Sequence, residues 1–332
     1  MTASPGGASQ IAALALDEQG HTPCAYGLFQ QPWWLDVLAP GAWDEVRITQ
    51  DGRVLARLPF VRKRRFGLTL LTQPPLTQYL GPWIAAIEGK YSTRLAREIA
   101  LLAQLIERLP PHDLFHMRFA PQVKNYLPLY WASFEASPRY TYRLEDLHDP
   151  AALWSGLDAR VRNTIRKATS GLTVRADTQV DTVLDVQDLT FKRQGLSASA
   201  DRSPYHRLDA ACVARGCRQA LIAEDDRGRV HAAGYFVWDE SSMYYLYGGL
   251  DPELKSSGAM SLVLWEAISH ARRVSRAFDF EGSMLPSIES FFRSFGSRQV
   301  DSLLVWRMSR RLRVGYALRN LAAATFGWPR SL

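Results

Sequence analysis

Apolar and polar positions alternate in two stretches of the chain, and each stretch predicts a β-hairpin. The first covers residues 46–60 and the second residues 221–236. Each contains an apolar strand, a polar turn with glycine and a second apolar strand, which is the usual signature of a hairpin. Gly52 matches Gly228 and Phe60 matches Phe236 at one constant offset. The matching positions indicate an internal repeat.

The segments after the two hairpins also correspond. Each hairpin leads into a strand-like stretch, then a helix, then a strand at residues 113–120 or 277–283. The helices are predicted from apolar residues at helical spacing. Those residues are Leu95, Ile99, Leu102, Ile106 and Leu109 in the first copy, and Met260, Val263, Leu264, Ala267, Ile268 and Ala271 in the second. The same order of elements therefore occurs twice.

This repeated order predicts a mixed α/β (α+β) fold in two tandem domains. Each domain is expected to hold a mixed, mostly antiparallel sheet flanked by helices. The predicted domains are residues 1–145 and residues 146–308. A basic segment, residues 309–332, follows them and could pack back on the first domain.

Composition places the chain among ordinary globular proteins. It is 47% apolar and 22% charged, which is enough to form a sizeable core. No apolar run reaches the length of about 18 residues that a membrane-spanning helix needs, and the N-terminus is a poor signal peptide. A cytoplasmic location is therefore expected. Three cysteines, Cys24, Cys212 and Cys217, argue against a disulfide framework and a zinc site.

Positive charge is concentrated in three places. The formal net charge is +7, and no acidic residue follows Asp301 although six arginines do. The other two clusters are residues 62–65 and residues 160–167. Such clusters can bind the phosphates of a nucleotide, coenzyme A or tRNA. A solvated arginine-rich surface is the alternative interpretation.

A short loop before the second predicted helix could bind a phosphate. The loop is Lys255, Ser256, Ser257, Gly258 and Ala259. Free backbone N–H groups at a helix start favour an anion, and small side chains let it approach. A serine there could instead cap the helix. If the loop binds the donor, Gly258→Leu should weaken donor binding with little loss of fold.

The loop resembles the pattern Q/R-x-x-G-x-G/A with which GNAT N-acetyltransferases hold the coenzyme A pyrophosphate, with Lys255 in the first position. The chain as a whole resembles the Fem-type branch of that superfamily, which has two GNAT-like domains and includes peptidoglycan-bridge aminoacyltransferases. The motifs that carry this resemblance are residues 74–82, 160–168, 191–195 with Tyr205, 244–249 and 278–283. The resemblance implies an acyltransferase that uses aminoacyl-tRNA or acyl-CoA as co-substrate.

Candidate catalytic residues follow the second helix. Asp279 and Glu281 are two residues apart, so on one strand they would point to the same face. A carboxylate there could accept the proton of an attacking amine. Each should raise the pKa of the other, and Gly282 is expected to open space beside Glu281. Tyr247 could orient the donor or act as an acid. The alternatives are a salt-bridged strand end and core packing.

A second set of residues could bind a polyanion or a nucleotide-linked acceptor. Arg162 and Arg166 are four apart on a predicted helix, and Lys167 adds a further cation. The Fem resemblance adds Arg193 and Tyr205, with Lys63 and Tyr79 as their first-domain counterparts.

Three functions remain open at this point. The first is transfer from aminoacyl-tRNA, and the second is transfer from acyl-CoA or an acyl carrier protein. In both, the acceptor would be an amine on a small molecule or a cell-envelope precursor, and transfer by direct aminolysis needs no metal and no tightly bound cofactor. The third is a degenerate, non-catalytic GNAT pair that binds RNA or an anionic surface.

Overall fold

A computed structural model of the chain describes residues 26–177, 179–193, 201–282 and 284–314. It confirms the predicted mixed α/β architecture, in which a large, mostly antiparallel sheet is flanked by helices. The hairpin, helix and strand predicted for each copy are all present.

The first half contains six strands and three α-helices among the described residues. The strands are β1 (Trp43–Gln50), β2 (Arg53–Arg65), β3 (Leu68–Thr72), β4 (Trp83–Ile84), β5 (Leu114–Arg118) and β6 (Glu135–Leu144). The helices are α1 (Pro32–Leu38), α2 (Tyr91–Glu107) and α3 (Leu127–Trp131).

The second half contains six more strands and six α-helices in the described part of the chain. The strands are β7 (Thr173–Asp177), β8 (Arg218–Glu224), β9 (Val230–Trp238), β10 (Ser242–Leu250), β11 (Ala277–Asp279) and β12 (Arg298–Met308). The helices are α4 (Pro150–Gly156), α5 (Ala159–Thr169), α6 (Val180–Arg193), α7 (Ser203–Ala214), α8 (Ala259–Val274) and α9 (Pro286–Arg293).

The two halves share one continuous sheet instead of forming two separate ones. Its strand order is β1-β2-β3-β5-β12-β6-β11-β10-β9-β8-β7, with β4 paired to β2. On each side a three-strand meander ends in a short parallel pair, β3 with β5 and β10 with β11. The central strands are exchanged, because β12 pairs with β5 of the first half and β6 pairs with β11 of the second. Each half is therefore completed by a strand from the other.

Burial follows the patterns that predict the elements. In α8, Val263, Leu264, Ala267 and Ile268 are fully buried against the sheet, as their helical spacing requires. Two apolar clusters cover the described residues, and each contains side chains from both halves. The boundary between residues 145 and 146 stays a prediction, since the shared sheet joins the halves directly beside it.

A candidate active site where the two halves meet

Strands β10 and β11 diverge near the middle of the sheet. They pair in parallel for only three residues, the last pair being Tyr244 with Asp279. Beyond that point β10 continues to Leu250, whereas the chain after β11 turns to β6 and the N–H of Phe280 donates to Tyr142 O at 3.0 Å. The two strands therefore part after this pair, and the angle between them is called the wedge here; α8 begins nine residues after the end of β10.

The corresponding place in the first half is closed by its own chain. After β3, Gln73 accepts a hydrogen bond of 2.7 Å from the N–H of Arg118. The chain then returns to the end of β5, where Leu80 bridges to Phe119. Gly81 packs so closely on Phe119 that a Cβ atom would lie 2.5 Å from its ring. In the described part of the second half, the chain after β10 makes no such return to the end of β11, and Gln78 of the first half contacts Glu281 there instead.

Asp279 lies at the apex of this wedge and is completely buried. Its Oδ1 accepts hydrogen bonds from the Thr141 hydroxyl of β6 and from the N–H of Glu281, the latter at 2.8 Å. Its Oδ2 lies 3.9 Å from Nε of Arg143. The carboxylate therefore ties β11 to the exchanged strand β6.

Glu281 lies beyond the end of β11, so the predicted i, i+2 arrangement on one strand is wrong. Its φ is 59° and that of Gly282 is 58°, and this left-handed backbone turns the chain out of the strand. Gly282 opens no space either: a Cβ atom there would lie 2.1 Å from Tyr140 O. The glycine instead lets the chain pack directly on β6, and Gln78 of the first half donates to Glu281 O at 2.6 Å.

The carboxyl group of Glu281 is buried and electrostatically unusual. Its Oε1 has no hydrogen-bond partner among the described residues. Burial raises its pKa well above the usual range, the charge of Asp279 raises it further, and Arg118 lowers it. Burial also raises the pKa of Asp279, against the effect of Arg143. The expected coupling of the two carboxyls is thus present for Glu281.

Tyr79 connects these carboxyls to the first half. Its ring packs 4.9 Å from the guanidinium of Arg118. Burial raises its pKa well above the usual value, and the charge of Asp279 is the next largest cause. The structure therefore brings three sequence-predicted residues, Tyr79, Asp279 and Glu281, into one cluster.

A cavity of about 930 Å³ opens on the other side of this cluster. Its wall includes Tyr79, Arg143 and Tyr244, the residues that border Asp279. It runs between the first half, at residues 79–98, and the β9–β10 turn of the second half. Its size and its mixture of aromatic and charged side chains are typical of a small-molecule site.

The predicted phosphate loop is placed at the start of α8. Lys255, Ser256 and Ser257 form a single 3₁₀ turn, and Gly258 precedes Ala259, the first residue of the helix. Ser257 accepts a hydrogen bond of 3.4 Å from the N–H of Ala259. Lys255 and Ser256 are exposed, so an anion could reach the loop.

The expectation that Gly258→Leu would spare the fold is wrong. Gly258 has a φ of 78°, and a Cβ atom there would lie 2.5 Å from Cγ2 of Thr164 on α5. A larger side chain would strain the backbone and push α5 away, so a loss of binding in that variant would not isolate the loop's role.

Tyr247 and Tyr205 lie together in a different cluster. Tyr247 stacks on Tyr235 with ring centroids 4.7 Å apart and meets Tyr205 edge to face at 5.1 Å. It is three residues beyond Tyr244, so about 10 Å along β10 from the pair with Asp279. Its pKa is raised well above normal by burial and then by Asp209. The structure does not bring Tyr247 to the two carboxyls.

The remaining predicted binding residues are dispersed. On α5, Arg162 donates to Ser155 O at 3.0 Å, Arg166 lies over the ring of Trp154, and Lys167 is exposed. Arg193 ends α6, and its side chain lies outside the described part of the chain. Lys63 is exposed near the tip of the β2–β3 hairpin, away from buried Tyr79.

Sequence reasoning missed Thr141, Arg143, Arg118 and Tyr244 as site residues. Thr141 and Arg143 come from β6, for which no strand is predicted from the sequence. They alternate with Tyr140 and Tyr142, and this alternation is the one local signal of a strand with two distinct faces.

The described residues contain no group of three or more His, Cys, Asp or Glu side chains that could hold a metal ion. None of the helices in the same part of the chain has the length and apolar character needed to cross a membrane.

Comparison with known proteins identifies the fold. Residues 156–286 match the family described as acetyltransferase (GNAT) domain. The structure named FemX superposes with a TM-score of 0.66 at 13% identity, covering 89% of this chain and 95% of that one. The C-terminal domain of a protein assigned as a lysylphosphatidylglycerol synthetase, from Agrobacterium fabrum, gives a TM-score of 0.50 at 14% identity, covering 86% and 90%. No curated protein matches the sequence.

The class of protein follows from these findings. Residues 156–286 belong to the GNAT acetyltransferase domain family, and the chain has the fold of the Fem-like GNAT-superfamily acyltransferases that its motifs resemble. The family match covers the wedge between β10 and β11, the loop before α8 and both buried carboxyls. The GNAT domain supports a transferase.

Proposed function

We propose that this protein is an N-acyltransferase that moves an acyl or aminoacyl group to an amine by direct aminolysis. The observation that carries the proposal is the position of Glu281. This buried carboxyl has an unpaired oxygen and a raised pKa, and it lies where β10 and β11 part. A general base works best when its pKa is near the working pH, and burial moves Glu281 in that direction.

The chemistry needs one proton acceptor and a positioned donor. The amine nitrogen attacks the acyl carbonyl, and a C–N bond forms as the C–S bond of a thioester or the C–O bond of an ester breaks. The proton leaves the amine for the Glu281 carboxylate, which then returns it to the departing sulfur or oxygen. Asp279 acts as a positioning residue, since it holds the N–H of Glu281.

Donor and acceptor are proposed to approach from two sides. The donor phosphates would bind the loop Lys255 to Ala259 at the start of α8, where free N–H groups favour an anion. The acceptor would occupy the cavity of about 930 Å³ that Tyr79 and Arg143 border. A cavity of that size accommodates an amine-bearing small molecule or part of a cell-envelope precursor. Lys63, Arg162, Arg166, Lys167, Arg193 and Tyr205 remain candidates for contacts with a larger polyanionic donor such as tRNA.

A transfer assay with both donor classes tests the proposal. Purified protein would be given radiolabelled aminoacyl-tRNA or acetyl-CoA with a panel of amines at physiological salt. RNA affinity depends steeply on salt, so the salt concentration must be fixed. Transfer from either donor that is lost in Glu281→Gln supports the proposal. Absence of transfer from both donors, or transfer that Glu281→Gln leaves unchanged, contradicts it.

A further inference from the structure

At one end of the strands of the central sheet, which we call the hairpin edge, an aromatic side chain is exposed among cations that form no ion pair with the described residues. The β2–β3 hairpin ends in the turn Phe66–Gly67, and Arg62, Lys63, Arg64 and Arg65 lie just before it. All four cations are exposed, and none forms an ion pair with any described residue. Phe66 is 86% exposed, the most exposed of the large apolar side chains described.

The turn itself does not require a phenylalanine. Phe66 and Gly67 have φ values of 51° and 73°, the left-handed pair of a two-residue hairpin in which Asn-Gly or Asp-Gly is preferred. The neighbouring β1–β2 turn has those preferred residues, Asp51 and Gly52, at φ values of 51° and 74°. Phe66 thus occupies a position where backbone and solvent both disfavour it, so an external contact would account for its presence.

The basic tip is not a requirement of the fold either. The hairpin in the same place of the second half, between β9 and β10, turns through Asp239, Glu240 and Ser241. There the two carboxylates replace the cations of the first half.

Other elements at the same edge extend the surface. Ser309, just after β12, donates from its N–H to Asp113 O, and the side chain of Asp113 accepts from the N–H of Thr69 on β3 at 2.9 Å. Arg310 and Arg311 therefore lie beside the hairpin. Arg313 forms an ion pair with Glu135, the first residue of β6. Helix α3, which precedes β6, exposes two large aromatic rings. These are Tyr130 and Trp131, which are 63% and 62% exposed.

We infer that this edge binds the surface of an anionic phospholipid membrane. Exposed aromatic rings favour the headgroup region, and cations beside them attract acidic lipids. The exposed ring lies in the turn, and the guanidinium of Arg65 lies 5.2 Å from its centroid, so an apolar group and a cation would meet a surface together. Proteins that bind single-stranded RNA without sequence preference instead use a groove that tracks the backbone.

Vesicle binding tests the inference. The full chain would be mixed with phosphatidylcholine vesicles, with and without phosphatidylglycerol, and sedimented. We expect binding to the anionic vesicles only, reduced roughly ten-fold in Phe66→Asn and about five-fold for each of Arg64→Gln and Arg65→Gln. Asn suits the left-handed turn, so Phe66→Asn should fold at least as well as the natural chain. A thermal melt checks that point.

The control is Arg53→Gln, which removes an exposed cation at the opposite end of the same strand. It should bind vesicles as the natural protein does. Equal binding by Phe66→Asn and the natural chain would overturn the inference. The inference would also be overturned if the natural protein did not bind anionic vesicles but bound an unstructured RNA, and Phe66→Asn weakened that RNA binding.

Discussion

The backbone N–H of Glu281 donates a hydrogen bond of 2.8 Å to Oδ1 of Asp279, so one carboxylate anchors the backbone that carries the other. The same Oδ1 accepts from Thr141 on the exchanged strand β6. The proposed base is therefore held at the line where the two halves are joined. Strand exchange and the proposed catalysis are connected in this way, since neither half alone supplies all of these groups.

Replacing Glu281 by Gln should lower turnover by roughly 100-fold or more, because a general base contributes on that scale. The amide has the same shape and should leave donor and acceptor affinity nearly unchanged. Steady-state rates and equilibrium binding separate the two effects. Glu266→Gln, which changes an exposed carboxylate on α8, is the matched control and should keep the natural rate. If both variants turn over alike, Glu281 is not the base.

Replacing Asp279 by Asn should move the acid limb of the pH–rate profile to lower pH. The charge of Asp279 raises the pKa of Glu281, so its removal lets Glu281 lose its proton at a lower pH. The amide oxygen of Asn can still accept from Thr141 and from the N–H of Glu281. The measurement is kcat/KM against pH for both proteins. A limb that moves upward, or stays fixed, would contradict the assignment of that limb to Glu281.

Glu281→Gln should also change how stability depends on pH. A carboxyl whose pKa is higher in the folded protein than the unfolded value of about 4.3 favours folding most at low pH. That contribution is lost as pH rises through the folded pKa. The variant has no such loss. Its free energy of unfolding should therefore increase, relative to that of the natural protein, as the pH rises. Each unit of raised pKa is worth about 1.4 kcal/mol. Denaturant unfolding at several pH values measures the difference; parallel curves would mean that Glu281 titrates normally.

Part of the fold and of the site could be predicted from the sequence. The hairpins, α2, α8 and the strand that ends at Asp279 have clear apolar periodicity, so local patterns were enough. Strand β6 was missed because its sequence, EASPRYTYRL, alternates weakly and contains Pro138. Its pairing with β11 and β12 is a long-range event, and the strand is stabilised by partners from the second half. Glu281 could be identified by its residue type. The left-handed turn in which it lies could not, because that turn depends on the packing of Gly282 against Tyr140.

The contact between Gly258 and Thr164 can be measured by comparing two glycines. Gly258→Ala should destabilise the protein by about 1–2 kcal/mol for the left-handed backbone, plus the cost of a Cβ atom 2.5 Å from Cγ2 of Thr164. Gly228→Ala is the control for the backbone alone, because its φ is 73° and its Cβ would meet nothing within 4 Å. Gly258→Ala should therefore cost more than Gly228→Ala.

Thr164→Ser completes the cycle, since it removes Cγ2 and keeps the hydroxyl that bonds Arg160 O at 2.9 Å. In that background the extra cost of Gly258→Ala should fall towards the cost of Gly228→Ala, as seen in urea unfolding. An unchanged cost would mean that α5 does not pack on the loop before α8. If the cost falls as expected, the loop's conformation depends on α5, and changes in α5 would alter donor binding without any direct contact with the donor.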